Sequence, residues 1–425
     1  MRRTKQLGRY QIMTRIAFGG MAEIFRGFTY EEGFRKDIAI KKVLPYYLEE
    51  PQFLDMLTDE FKLVSHLRHP NIAEVYELAE VERSLLIAME YVDGKDLRSI
   101  IDRLQSRGML MELDNAAYII ARALDGLHHA HCARDRRGEV LAIVHRDFSP
   151  SNVLVSYDGR IKICDFGIAK ARHSRIRTKT GIIKGKIRYM SPEQTYGRTL
   201  DLRSDIFSAG SVVYELATGQ PAFHADNEMD LIFAVREAAP PACQDVNPRV
   251  PDQLARIIER AMARSRSGRY QTSIEFRDAL LEFIRTINPH YTRTKLAESQ
   301  RKIWAPEIES ELRAMEEYAI GDALSSDFGI NLIAEVLGPD APYSSFNPSP
   351  TRSHDDSEKR PSGRALHEMR TLMVNVQEPL SLERDITSAD HVGSQDDTLE
   401  TTLEHELSAE PTQVSEDSRS IHKKT

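Results

Sequence analysis

At 425 residues, with 41% hydrophobic and 29% charged side chains, the chain has the length for two or three domains and the composition of an ordinary soluble protein. Its net charge of -8 argues against bulk attraction to nucleic acid: from Gly338 onward there are 17 Asp+Glu against 9 Lys+Arg, so the tail carries the whole excess. Cys132, Cys164 and Cys243 are too scattered for a disulfide framework or zinc site, no apolar run approaches the ~18–20 residues that cross a bilayer, and MRRTKQLGRY has no apolar segment behind its basic residues, so a cytoplasmic location is expected.

The first elements in chain order are β-rich. YQIMTRIA, AEIFRGF, KDIAIKKV, AEVYELAEV and SLLIAMEY, between Tyr10 and Glu90, are short and alternating or apolar, as strands are. Between them, Phe53, Leu57, Phe61 and Val64 recur at helical spacing. From Leu97 to Ile287 the pattern turns helical, with LDNAAYIIARALDGLHHAH as one helix and SDIFSAGSVVYELATG as another, closed by Gly219. Two more helical stretches follow, TKLAESQRKIW and PEIESELRAMEEYAI, the second opened by Pro306. Their apolar positions suit docking on the larger lobe or on a partner. Residues 338–425, rich in Ser, Pro and charge, bury too little apolar surface to offset ordering entropy. The expectation is therefore a small strand-rich lobe over about 10–90, a larger helical lobe over about 97–287, a helical extension over 288–337 and a disordered acidic tail.

Several motifs carry chemistry. IAFGGMAEIF, between two strands, has small residues at Ala17, Gly19, Gly20 and Ala22, which lets backbone N–H groups approach a phosphate, although a glycine-containing hairpin alone would read the same. DIAIKK puts Lys41 on a strand, where an ammonium can bridge two phosphates if a carboxylate fixes it. Glu60, ten residues before Pro70 on the intervening helix, is the expected partner, with Asp59 the alternative. IVHRDFSPSNVLV then sets Asp147 to take the proton of an attacking hydroxyl and Asn152 to hold Mg²⁺. KICDFG brings Asp165, at a strand end, to the same ion. Any one of these could be a surface turn; the ordered series is specific.

Later stretches complete the series. MSPEQ (Met190 to Gln194) is similar to an A-P-E signature, SDIFSAGSVVYE puts Asp205 near a helix start, and SGRY supplies Arg269. Over about 10–287 the chain resembles the eukaryotic-like (Hanks-type) serine/threonine protein kinases of the bacterial branch. The resemblance implies the bilobal α+β kinase fold, with one regulatory helix in the small lobe, and transfer of the γ-phosphate of ATP to protein hydroxyls with Mg²⁺, or Mn²⁺ in its place. It implies an ATP site made of Ile16, Ala17, Gly19, Gly20, Ala22, Ile24, Ala39, Lys41, Met89, Glu90, Val92, Asp96 and Leu154. In it Met89 to Val92 would grip adenine and Asp96 would reach the ribose. Glu193 would pair with Arg269, and Asp205 would be structural. Thr178 and Thr180 fall where bacterial relatives autophosphorylate, with Arg146 placed to receive the phosphate.

One departure stands out. Where such kinases have a lysine two residues after the loop aspartate, this chain has Ser149. Where they have a threonine facing it, in G-T-x-x-Y, this chain has Lys186. The expected explanation is an exchange, with Lys186 bringing the missing charge and Ser149 the hydroxyl. A pseudokinase scaffold is the competing expectation, motivated by Ala17, Ala22 and Ser149 but opposed by the presence of Lys41, Asp147 and Asp165. A small-molecule kinase of the aminoglycoside type is opposed by the long segment ending in MSPE. Expected partners are protein substrates, a second copy for trans-autophosphorylation, and a phosphothreonine-recognising domain for the acidic tail, with no nucleic acid and no membrane span.

Overall fold

Alternation in the first ninety residues is realised as one sheet. The computed structural model describes residues 5–19, 21–48, 51–81, 84–166 and 185–325, the side chains of residues 51, 52, 60 and 319–325 excepted. The strands are β1 (Lys5–Leu7), β2 (Tyr10–Phe18), β3 (Ala22–Glu31), β4 (Phe34–Val43), β5 (Val75–Val81) and β6 (Ser84–Glu90), in the order β1-β2-β3-β4-β6-β5. Every neighbouring pair is antiparallel. β1 was not expected from the sequence; three residues carry too little periodicity to read. Bulges at Ile12/Thr14 and Arg15/Ala17 interrupt the β2–β3 register, and such bulges bend a strand and increase its twist. Helix α1 (Pro51–Val64) lays Phe53, Leu57 and Phe61 against Val43, Leu78 and Ile87. Fully burying such a side chain is worth about 1.5–3 kcal/mol.

The larger lobe is built around α3 (Leu113–His131), which follows α2 (Leu97–Ser106) and is buried along most of its length. Gly126 has a specific reason to lack a side chain: a Cβ there would lie 2.7 Å from the carbonyl oxygen of Asn71. That close approach lets Asn71 bond across to Ile161 and Ile163. A small second sheet, β7 (Gly94–Asp96), β8 (Val153–Ser156) and β9 (Ile161–Ile163), lies beside it. Helix α4 (Leu202–Thr218) starts at the N-cap Asp201 and stops at Gly219, whose φ of 78° is the left-handed conformation that ends helices. α5 (Glu228–Glu237), α6 (Asp252–Ala261) and α7 (Ser273–Ile287) complete the lobe. The whole is a two-lobed α+β fold.

The extension is a kinked helix, α8 (Arg293–Ser325), bent at Trp304 just before Pro306. It touches both lobes. Lys295 binds Asp114 at 2.6 Å, Lys95 binds Glu311 at 2.6 Å, and Arg103 pairs with Glu307. Further on, Tyr318 is buried with Met13 and Phe28 of the small-lobe sheet. Residues 326–425, which include the acidic tail, lie outside the described residues.

Candidate active site

The loop after Ile143 is shaped by a carboxylate buried beneath it. Asp205 of α4 accepts the backbone N–H of His145 at 2.8 Å and that of Arg146 at 2.9 Å. Its Oδ2 also meets His131 Nε2 at 2.8 Å. Burial alone would push this carboxyl upward; the hydrogen bond and charge of His131 and the loop amides outweigh it and hold Asp205 below the usual carboxylate range. The same bonds stabilise Arg146 at φ 64°, a left-handed conformation that costs a non-glycine residue about 1–3 kcal/mol. His145 is fully buried, and desolvation lowers its basicity. Its Nε2 faces the Cys164 carbonyl at 3.1 Å, and its ring stands 4.6 Å from that of Phe166.

On this base sits Asp147. Asn152 donates Nδ2 to both its carbonyl oxygen, at 2.8 Å, and its Oδ2, at 2.9 Å. Lys186 Nζ approaches the same Oδ2 at 2.6 Å. Ser149 is buried, and its hydroxyl has no hydrogen-bond partner among the described residues. The Ser149 half of the exchange expected from the sequence is thus not made as a contact. Asp165, two residues past β9 and at φ 57°, is another left-handed non-glycine. Lys41 of β4 reaches its Oδ1 at 2.8 Å.

These donors suit Mg²⁺, a hard cation that takes oxygen ligands from one or two carboxylates together with substrate phosphates. Asp165 offers a carboxylate. With its NH₂ spent on Asp147, Asn152 turns its carbonyl oxygen the other way.

The remaining expected residues are distributed as follows. Ala17 pairs with Ile24 and Phe18 with Glu23 across the β2–β3 hairpin, and the Gly19 N–H bonds the Ala22 carbonyl at 2.9 Å. Ile16 is half exposed and Ala22 is buried. Gly20 lies outside the described residues, as do Thr178 and Thr180; nothing is described of the Glu60 side chain. Lys41, Met89, Asp165 and Phe166 line one cavity. Ala39 faces Met89 across β4–β6, and Leu154 stands between Asp96 and Lys162 in the small sheet. Val92 is half-buried after β6. Asp96 caps α2, accepting the Ser99 amide at 3.0 Å and its hydroxyl at 2.6 Å. Arg269 forks onto Glu193 at 2.7 and 2.9 Å, wholly buried, and Ser204 adds a third bond to Glu193.

Two contacts escaped the sequence. Glu90 accepts Lys162 at 2.7 Å and the Glu74 amide at 3.1 Å, so its carboxylate is occupied within the cleft wall. Gln194 donates to the Arg146 carbonyl at 2.8 Å, tying the segment after Lys186 to the loop. The second had a legible signal: Ser191 and Gln194 form a reciprocal capping box, the S-x-x-Q pattern of a helix start.

A family model described as the protein kinase domain matches residues 10–283. The chain belongs to the protein kinase family. The kinase domain is 37% identical over 278 residues to the tyrosine-protein kinase MasK of Myxococcus xanthus, covering 65% of this chain and 43% of that one. It is 34% identical over 266 residues to the serine/threonine-protein kinase PrkC of Bacillus subtilis, covering 63% and 39%. The chain thus spans roughly two fifths of the length of these relatives, and they support the bacterial, Hanks-type branch. Among solved structures, the PknI kinase domain of Mycobacterium tuberculosis superposes with a TM-score of 0.51 at 24% identity, over 66% of this chain and 97% of that one. At that identity the likeness speaks for the fold.

Proposed function

We propose that the chain transfers the γ-phosphoryl group of ATP to serine or threonine hydroxyls of proteins. The observation that carries this reading is the convergence of Asp147, held by Asn152, with Asp165, held by Lys41. Asp147 accepts the proton of the incoming hydroxyl and aims its oxygen. Lys41 engages the nucleotide's phosphates, and the β2–β3 hairpin covers them with backbone N–H groups. Asn152 and Asp165 would hold Mg²⁺, whose charge neutralises the phosphate oxygens. Met89 to Val92 and Asp96 bind adenine and ribose, the last on condition that its capping bonds to Ser99 yield.

Comparing wild type with Asp147→Asn in a Mg²⁺-ATP assay on a generic basic protein tests the reading. The variant should lose roughly 10²–10⁴-fold in rate, and equal rates would defeat it. The scaffold alternative draws no support from the relatives, which are named as kinases. Tyrosine transfer is the second reading, favoured by the name of the Myxococcus xanthus relative. Phosphoamino-acid analysis of the product separates it from the first. Activation by phosphate on Thr178 or Thr180, received by Arg146, belongs to the same proposal, as do a cytoplasmic site of action, pairing of two copies for trans-autophosphorylation and a phosphothreonine reader for the tail. Among the described residues no helix is long and apolar enough to cross a membrane.

A further inference from the structure

The ammonium on Asp147 comes from outside its own loop. Lys186 stands 39 residues further along, yet its Nζ lies 2.6 Å from Asp147 Oδ2, the oxygen that also accepts Asn152. Two residues after Asp147 the loop offers Ser149, a neutral side chain whose buried hydroxyl bonds nothing among the described residues. Among the described residues, Lys41 is engaged with Asp165 and Lys162 with Glu90.

Lys186 is not a surface side chain that happens to reach inward. Its neighbours Ile187 and Tyr189 belong to the core of the large lobe. Its carbonyl accepts the Tyr189 amide at 3.1 Å. The Tyr189 phenol donates to Glu215 at 2.5 Å, and Glu215 is itself paired with Arg98 at 3.0 Å. Gln194 bonds the loop at the Arg146 carbonyl. The backbone around Lys186 is thus anchored from within, while its side chain, 31% exposed, reaches Asp147.

We propose that Lys186 is a catalytic residue, its ammonium lying between Asp147 and the transferring γ-phosphoryl group in place of a charge that the loop lacks at Ser149. The proposal rests on the kinase reading above. In the step, the acceptor oxygen forms a bond to the γ-phosphorus as the bond from that phosphorus to the β,γ-bridging oxygen breaks. The electron pair leaves with ADP, the hydroxyl proton passes to Asp147, and Lys186 stays protonated throughout. A lysine suits this task because its ammonium is a compact point charge on a flexible stem, able to contact a carboxylate oxygen and a phosphoryl oxygen together. Its attraction is greatest where charge develops during transfer, so it acts on kcat more than on nucleotide binding.

The test uses the full chain as wild type, Lys186→Ala, Lys186→Thr, Lys186→Arg and the double variant Ser149→Lys/Lys186→Thr. Each is measured for kcat, for KM of ATP and of the protein acceptor, for Mg²⁺-ADP affinity and for thermal melting. Lys186→Ala and Lys186→Thr should lose ~10²–10³-fold in kcat with nucleotide affinity and melting unchanged, as for removal of one donor aimed at a transition state. Lys186→Arg should keep more activity than Lys186→Ala, and the double variant should recover at least ~10-fold over Lys186→Thr. A Lys186→Ala enzyme within ~3-fold of wild type in kcat overturns the proposal. So does a double variant no faster than Lys186→Thr with an unchanged melting point. A loss confined to acceptor KM, or one that tracks lost melting and lost ADP affinity, assigns Lys186 to docking or to structure and overturns it as well. Wild type that binds Mg²⁺-ADP but transfers nothing overturns the kinase reading itself, an outcome distinct from an active wild type indifferent to position 186.

Discussion

The phenol of Tyr318 donates a hydrogen bond to the carbonyl oxygen of Met13 at 2.8 Å, in a buried contact between residues 305 apart in the chain. Tyr318 lies late in α8, beyond the segment matched by the family model, and Met13 lies in the outer part of the small-lobe sheet. α8 begins on the large lobe, where Lys295 meets Asp114, so one helix links the two lobes. Contacts to both lobes thus come from a helix that lies outside the segment matched by the family model.

Tyr318→Phe should cost about 0.5–1.5 kcal/mol, the net worth of one hydrogen bond, with the Met13 carbonyl left short of a donor. Tyr318→Ala also empties the space beside Met13 and Phe28 and should cost about 3–5 kcal/mol. Urea unfolding of both variants measures the difference. Equal losses would mean that the ring contributes nothing beyond its hydroxyl.

The Glu193–Arg269 pair should be far less tolerant than the surface pairs. Arg269 spends all its donors inside the protein, on Glu193 and on the carbonyls of Arg203, Ala263 and Arg264. Arg269→Met strands a buried carboxylate and should cost about 3–5 kcal/mol, whereas Arg285→Met, which loses an exposed i,i+3 pair, should cost about 0–1 kcal/mol. Denaturant midpoints at neutral pH give both values.

Acid should weaken the protein through Asp201, the N-cap of α4. Hydrogen bonding from the Arg203 side chain, working against partial burial and joined by the Arg203 amide and Arg266, draws its pKa from 3.8 down to about 2. A depressed carboxylate pKa means that the unfolded chain binds the proton first, so stability rises with pH across that window. The contribution is complete above pH 3.8 and is lost as pH falls through about 2. Because the side chain is 34% exposed, solvent screening limits the contribution to about 1 kcal/mol. Asp201→Asn should therefore be less stable than wild type at pH 5, with the gap narrowing as pH falls from 3.8 and closing only below pH 2. A gap that persists unchanged at low pH would show that the cap acts without its charge.

Gly126→Ala tests the contact that seats the turn at Asn71. A Cβ would meet the Asn71 carbonyl oxygen at 2.7 Å, closer than such atoms approach, and neither the helix nor the turn is a flexible side-chain end. The substitution should cost about 1–3 kcal/mol by overpacking, more than the gain in helix propensity of up to ~1 kcal/mol. Thermal melting compares it with Gly108→Ala, a site with open space but a φ of 64°.

Much of this protein is written locally. Alternation over Tyr10 to Glu90 and helical spacing beyond Leu97 are properties of neighbouring residues, so the two lobes could be read from periodicity. Asp147, Asn152 and Asp165 keep short, fixed separations, so their shared chemistry was legible as well. The stop at Gly219 and the box at Ser191 and Gln194 are likewise local. What escaped was part of the pairing of distant charges; Glu193 with Arg269, and Lys186 at the catalytic loop, were expected only through the family resemblance. Glu90 meets Lys162 and Lys41 meets Asp165, two pairings that were not read from the sequence. That Lys186 reaches Asp147 while Ser149 bonds nothing among the described residues, and that α8 reaches Met13, depends on how separate elements pack. Sequence alone determined the elements and the inventory of reactive groups, because hydrophobic period and capping act within a few residues. Tertiary structure decided which groups meet, because the strength of a charge contact depends on separation and burial, and both exist only once the lobes are packed.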